Sequence, residues 1–255
     1  MKPASDARSG PASQPEECQV ISRSMADKPA VVLVHGFWGN AGHWAKVIVE
    51  LNRRGYTSLH AVENPLTSLA DDADRTRTMI RQVDGPVVLV GHSYCGAVIT
   101  EADDLPNVAA LVYIAAFAPE VGESLAQISG EVPPAALDNA GPDSDGYLWL
   151  RQDKFGESFC QDLPADEALV MAVTQKAPRA STFSDPVTTA AWKVKPAWYQ
   201  VSAADRVIHP DNERRMAKRI GARKTIELDA SHASLASQPS AVTDLIDDAA
   251  SSIAD

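Results

Sequence analysis

The sequence predicts an α/β chain with a central, mostly parallel sheet flanked by helices, and three observations predict it. Short apolar runs rich in Val, Leu and Ile recur at Val31–Val34, Thr57–Val62, Val87–Val90 and Ala109–Ala115. Each is followed by a helical pattern. Two further runs, Ala197–Ser202 and Lys224–Leu228, close the series. Strands of a parallel sheet are buried on both faces, so they read as continuous apolar runs and need helical crossovers between them.

The connecting helices are predicted at His43–Arg54, Leu69–Gln82, Tyr94–Asp103, Asp211–Ile220 and Ser240–Ile253; the first ends at Gly55 and the last opens after Pro239. Between Pro119 and Pro196 the strand–helix rhythm stops. The segment carries Pro133-Pro134, Gly141-Pro142 and Pro164 beside Tyr147, Trp149, Phe155, Phe159 and Trp192. So long an interruption inside a compact domain is usually functional. Residues 120–192 are therefore read as a mainly helical cap inserted into a core of residues 29–119 and 193–255. Trp38, Phe155, Phe159 and Trp192 are the candidates for lining a substrate pocket, although each aromatic could equally serve a local core.

Composition narrows the partners. With 45% hydrophobic and 22% charged residues in 255, the chain can build a sizeable core. The net charge of −11 is spread along the sequence. The one basic cluster, Arg214, Arg215, Lys218 and Arg219, reads as a solvated helix face, so nucleic acid is not expected. Cys18, Cys95 and Cys160 are too few and scattered for a disulfide framework, and none has zinc-site spacing. A reducing, cytoplasmic location without metal or cofactor is the expectation. Residues 1–28 are polar and rich in Ser, Pro and Ala; they read as a disordered tail, with Met25 a candidate start. They do not resemble a signal peptide, and no run is long enough to span a membrane.

The chemistry is concentrated in Gly91-His92-Ser93-Tyr94-Cys95-Gly96, directly after one strand and before a helix. A serine on so sharp a turn stands at the tip of the sheet, and small neighbours are needed because strand and helix crowd there. The pattern departs from G-x-S-x-G in having Cys95 at its last position, with Gly96 following. Cys95 is expected to pack behind the turn as a small hydrophobe. A serine hydroxyl needs a base to take its proton. Of six histidines, His35 and His92 sit inside glycine motifs, where backbone shaping is the expected task, while His43, His60 and His209 lie elsewhere. His232, after the last strand, stands where the order Ser, acid, His puts the base. Asp205, just past the strand Ala197–Ser202, is the leading acid; Glu120 and Asp229 are alternatives. The second donor for an oxyanion should follow the first strand, at His35-Gly36-Phe37-Trp38. The backbone N–H groups of Phe37 and Tyr94 are the expected oxyanion hole.

At these residues the sequence resembles the α/β-hydrolase superfamily, and more narrowly the compact branch of plant methylesterases, hydroxynitrile lyases and related bacterial esterases. The resemblance is carried by Val-Leu-Val-His-Gly at 32–36, Val-Gly-His-Ser-Tyr at 90–94 and Leu-Val-Tyr-Ile-Ala-Ala-Phe-Ala-Pro at 111–119. Ala-Asp-Arg at 204–206 and Ser-His at 231–232 complete it. It implies a Ser93, Asp205, His232 triad working without cofactor or metal on a small-molecule ester. Hydroxynitrile lyases of this type have lysine after the triad histidine; here Ala233 stands there, which favours ester hydrolysis. Dehalogenases and epoxide hydrolases of the fold have aspartate in place of Ser93. The expected substrate is a small or medium, mainly apolar carboxylic ester or lactone. The alternatives are a ligand receptor or sensor on the same fold, or a lyase or acyltransferase.

Overall fold

A computed structural model describes residues 28–253 except Asp103. The stretch 1–27, with Cys18 and Met25, lies outside the described residues. Lys28 is held in place: its Nζ binds Asp247 at 3.0 Å and lies over the Tyr56 ring.

In chain order the core begins with β1 (Ala30–Val34), a 3-10 turn at Ala41–Trp44, α1 (Ala45–Arg53), β2 (Leu59–Val62) and α2 (Leu69–Ile80). Next come β3 (Val87–His92), α3 (Cys95–Thr100) and β4 (Val108–Ile114). The inserted segment contributes α4 (Leu125–Glu131), a short pair β5 (Ala140–Pro142) and β6 (Leu148–Leu150), α5 (Gln152–Phe159) and α6 (Ala165–Val173). The antiparallel β5–β6 pair was not anticipated from sequence. The chain returns through β7 (Ala197–Ser202), α7 (Pro210–Arg219), β8 (Lys224–Leu228), α8 (Ser234–Ser237) and α9 (Pro239–Ser251). The predicted first helix opens instead as the 3-10 turn containing His43, with Asn40 accepting from the Gly42 N–H as its cap.

Six strands form one all-parallel sheet in the order β2-β1-β3-β4-β7-β8. Successive side chains alternate between its faces. Val32, Val34, Leu89, Leu111, Tyr113 and Tyr199 therefore enter one apolar core with α2, α3 and the insertion. Val31, Leu33, Val88, Val90, Val112 and Trp198 enter the other, beneath α1 and α9. The edge strand β8 carries Lys224 and Glu227 outward, which protects its open side from pairing with another chain. The basic cluster on α7 is a charge-matched helix face: Arg214 pairs with Asp211 and Glu227, Arg215 with Glu131 and Arg219 with Glu123.

Strand order reverses between β1 and β3, so the loops leaving these two neighbours diverge and open a crevice at their carboxyl ends. Gly36 follows β1 and Ser93 follows β3. A Cβ on Gly36 would stand 2.4 Å from Ser93 Cβ, and one on Gly96 would stand 2.0 Å from the Phe117 carbonyl oxygen. The second contact is with backbone that cannot swing aside. Gly96→Ala is expected to destabilise the fold by about 3 kcal/mol, the upper part of the usual overpacking range. A urea midpoint equal to that of the parent protein would show the turn to be roomier than it stands here.

Candidate active site

Ser93, Asp205 and His232 stand on loops at the carboxyl edge of the sheet, each brought there by a different strand. Ser93 leaves β3 with φ +58°, a left-handed conformation that costs a residue with a Cβ about 1–2 kcal/mol. The turn is pinned on both sides: Ser93 N–H donates to the Ile114 carbonyl, and its own carbonyl accepts from Gly96 and Phe117 N–H. Such strain persists only where surrounding structure over-determines it.

Asp205 follows β7 and His232 follows β8. His232 Nδ1 and Asp205 Oδ2 are 2.5 Å apart and both side chains are buried. Asp205 Oδ1 accepts from the Val207 and Ile208 N–H groups at 2.7 and 3.1 Å. Both carboxylate oxygens thus act as acceptors, so Nδ1 carries the histidine proton and Nε2 has its lone pair free. His232 Nε2 is buried without a hydrogen-bond partner, and Ser93 Oγ has none among the described residues. Hydrogen bonds of this kind often close only when substrate is bound. Of the alternative acids, Glu120 is taken by Lys193, and Asp229 is exposed.

The other glycine-motif histidines shape the backbone. His92 Nε2–H donates to the His232 carbonyl at 2.8 Å, and its ring lies 4.6 Å from that of His232. Burial, reinforced by the nearby His232, holds His92 well below the usual histidine range, so it remains neutral. His35 accepts the Asn64 N–H at Nε2 and faces its neighbour Gly36's carbonyl through Nδ1. Cys95 Sγ donates to the His35 carbonyl at 2.6 Å and accepts from Asn64 Nδ2. Burial pushes this thiol far up, which keeps it protonated and unreactive. The irregular elbow residue therefore fastens β3's turn to β1's loop.

The backbone N–H groups of Phe37 and Tyr94 have no acceptor among the described residues. Their rings stack at 4.0 Å. Tyr94 Oη donates to Asp72 at 2.7 Å, and burial raises that carboxyl to about 6. Trp38 donates from Nε1 to the Leu148 carbonyl of the insertion and lies edge-on to Phe37. Phe37, Trp38 and Tyr94 are all buried. Phe159 stands edge-on over the His232 ring at 4.9 Å, and Phe155 stacks behind it at 5.0 Å. Trp192 is not brought to this cluster. Its Nε1 donates to the Pro119 carbonyl and its ring carries Lys193.

Some supporting groups have no motif. Asp162 accepts the Ser231 N–H, and Gln161 donates to the Ala204 carbonyl, so the insertion grips the loops of both His232 and Asp205. His43 is buried against Phe159, its Nε2 without a partner among the described residues; burial, with His35 and His232 nearby, lowers it to about 4. It borders a cavity of about 480 Å³ between α1 and α6, lined also by Ala45, Val170, Met171 and Ala236. Among the described residues no cluster of His, Cys, Asp and Glu could hold a metal, and no helix is long and apolar enough to cross a membrane.

A six-stranded parallel sheet with a strained Ser93 turn and a buried acid–histidine pair at one edge defines a class, and the match is direct. The chain belongs to the Alpha/beta hydrolase family, whose model matches residues 31–245. It is 30% identical over 249 residues to the Alpha/beta hydrolase nvfD of Aspergillus novofumigatus, covering 88% of this chain and 97% of that protein. In three dimensions it resembles a pyrethroid hydrolase from Sphingobium faniae, with TM-score 0.74, 23% identity and coverage of 89% and 98%. It also resembles polyneuridine aldehyde esterase, with TM-score 0.76, 17% identity and coverage of 87% and 99%.

Proposed function

We propose that the protein is a serine esterase that cleaves small or medium, mainly apolar carboxylic esters or lactones through an acyl-enzyme on Ser93. The observation that carries this reading is the 2.5 Å Asp205–His232 pair, which leaves Nε2 as a base at the sheet edge that presents Ser93. His232 takes the Ser93 proton as Oγ attacks the ester carbonyl. The resulting oxyanion is met by the Phe37 and Tyr94 N–H groups. His232 then gives the proton to the departing alcohol, and on the second pass it activates water against the acyl-enzyme. Asp205 accepts the Nδ1 hydrogen bond throughout and stabilises the imidazolium.

The substrate class follows from the surroundings. Phe159 over His232, with Phe155 stacked behind it, suits an uncharged ester better than a charged one. Residues 120–192 act as a cap whose Gln161 and Asp162 hold the two catalytic loops. The hydrolase and esterase names of the relatives agree with this chemistry.

The test is covalent. A fluorophosphonate probe is expected to modify the protein with a stoichiometry of about one, at the peptide containing Ser93, as an activated serine requires. p-Nitrophenyl acetate turnover should be lost in parallel. An unlabelled, folded protein would instead favour a receptor built on this fold.

A further inference from the structure

We propose that Glu213 is a positioning residue for this site, sharing a hydrogen bond with the Asp205 carboxylate and so holding the acid in place from behind. The inference rests on the reading of Ser93, His232 and Asp205 given above. Glu213 lies on α7, fully buried, one turn before Met216 and Ala217 and two turns before Ile220, on the inward face of that helix. A carboxyl at such a position needs partners for both oxygens. Oε2 accepts the Ser202 N–H at 3.0 Å, while Oε1 meets no N–H or cation among the described residues. Asp205 is the neighbour on that side: its N–H donates to the carbonyl of the same Ser202, and its carboxyl lies within hydrogen-bonding reach of Glu213.

Two carboxyls can share a hydrogen bond only if one holds a proton. Asp205 is occupied on both oxygens by donors: two backbone N–H groups on Oδ1 and the His232 ring on Oδ2. Neither of its oxygens is left without a donor. Glu213 has a single neutral donor, so the proton belongs to Glu213 and points toward Asp205. Burial and the Asp205 charge together hold the Glu213 carboxyl well above the ordinary glutamate range. The other groups around it do not offset this. Tyr199 of β7 spends its hydroxyl on the Ala116 carbonyl, and Arg214, the adjacent cation, turns outward to Glu227 and Asp211. On the side of α4, Glu131 is engaged by Arg215, and Asn212 Nδ2 donates to the Ile128 and Val132 carbonyls. His232 lies beyond Asp205.

The experiment compares Glu213→Gln and Glu213→Leu in the full-length protein, with Ser93→Ala alongside, on p-nitrophenyl acetate. The Gln amide keeps an acceptor for Ser202 N–H and a donor for Asp205, so kcat should stay within about threefold of the parent. Glu213→Leu keeps the volume without a donor; kcat should fall about 10-fold to 100-fold with KM within about twofold, as when a group that orients a ligand from behind is removed. A Leu variant with parental kcat, or a Gln variant as impaired as Leu, would overturn the proposal. Should the Leu variant not fold, stability against pH decides. A carboxyl protonated only in the folded state costs stability as pH rises: between about pH 5 and 7 the parent's folding equilibrium should weaken up to about tenfold per unit relative to Glu213→Gln. Parallel stability curves would overturn the proposal as well. Ser93→Ala separates the two readings. If it still turns over the ester, the esterase reading fails and the Glu213 proposal falls with it. If it is inactive while Glu213→Leu is not impaired, only Glu213 is wrongly placed.

Discussion

Ser93→Ala is expected to lower kcat for p-nitrophenyl acetate by about 10⁴-fold to 10⁶-fold, the range seen when the nucleophile of a serine triad is removed. The alanine keeps the Cβ and with it the φ of +58°, so the elbow and its bonds to Ile114, Gly96 and Phe117 should stand unchanged. The loss is therefore chemical and not conformational. KM should change little, because the groups that would hold the substrate are backbone N–H donors and apolar rings. Residual hydrolysis above the background rate is expected from the oxyanion donors alone. A variant within about tenfold of the parent rate would remove Ser93 from the mechanism, since the activated hydroxyl is what the alanine takes away.

The second large effect is expected at Asp205→Asn, which should cost about 10⁴ in kcat with the fold intact. The geometry dictates how the asparagine must sit. Oδ1 is claimed by the Val207 and Ile208 N–H groups, so the amide oxygen takes that place and the NH₂ is turned to His232. An NH₂ can only donate there. Nδ1 is then forced to accept, the ring proton moves to Nε2, and the base can no longer take the proton of Ser93. A hydrolysis assay together with a thermal melt checks this. A rate within about tenfold of the parent would mean that Asp205 does not set the tautomer.

Much of this site was legible in the chain because its signals are local. The Ser93 turn is announced by its own glycines, and the Gly36 loop by the strand before it. Asp205 and His232 are announced by their places just after β7 and β8. A parallel sheet delivers every strand's carboxyl end to one edge, so finding the strands was nearly enough to gather the candidate residues there. Cys95 was legible as a packing residue, though not its bond to the His35 carbonyl, since that partner is 60 positions away.

What stayed hidden depends on contacts between distant segments. Glu213 stands in Asp-Asn-Glu-Arg-Arg, which reads as a solvated helix start; only its i, i+3, i+4, i+7 spacing with Met216, Ala217 and Ile220 hints that it faces inward. Gln161 and Asp162 lie in the insertion, where no periodicity guides a reading. For the aromatics, sequence could name Phe155, Phe159 and Trp192 but not sort them: folding put Phe159 on His232 and sent Trp192 to the Pro119 carbonyl. The sequence by itself determined the sheet and the family and named Ser93, Asp205 and His232 as candidates, because these are written in short-range turn and strand chemistry. The tertiary structure alone decided which carboxyl backs Asp205, which ring covers His232 and which loops the insertion grips. Those are questions of burial and approach between segments, and no spacing along a chain encodes them.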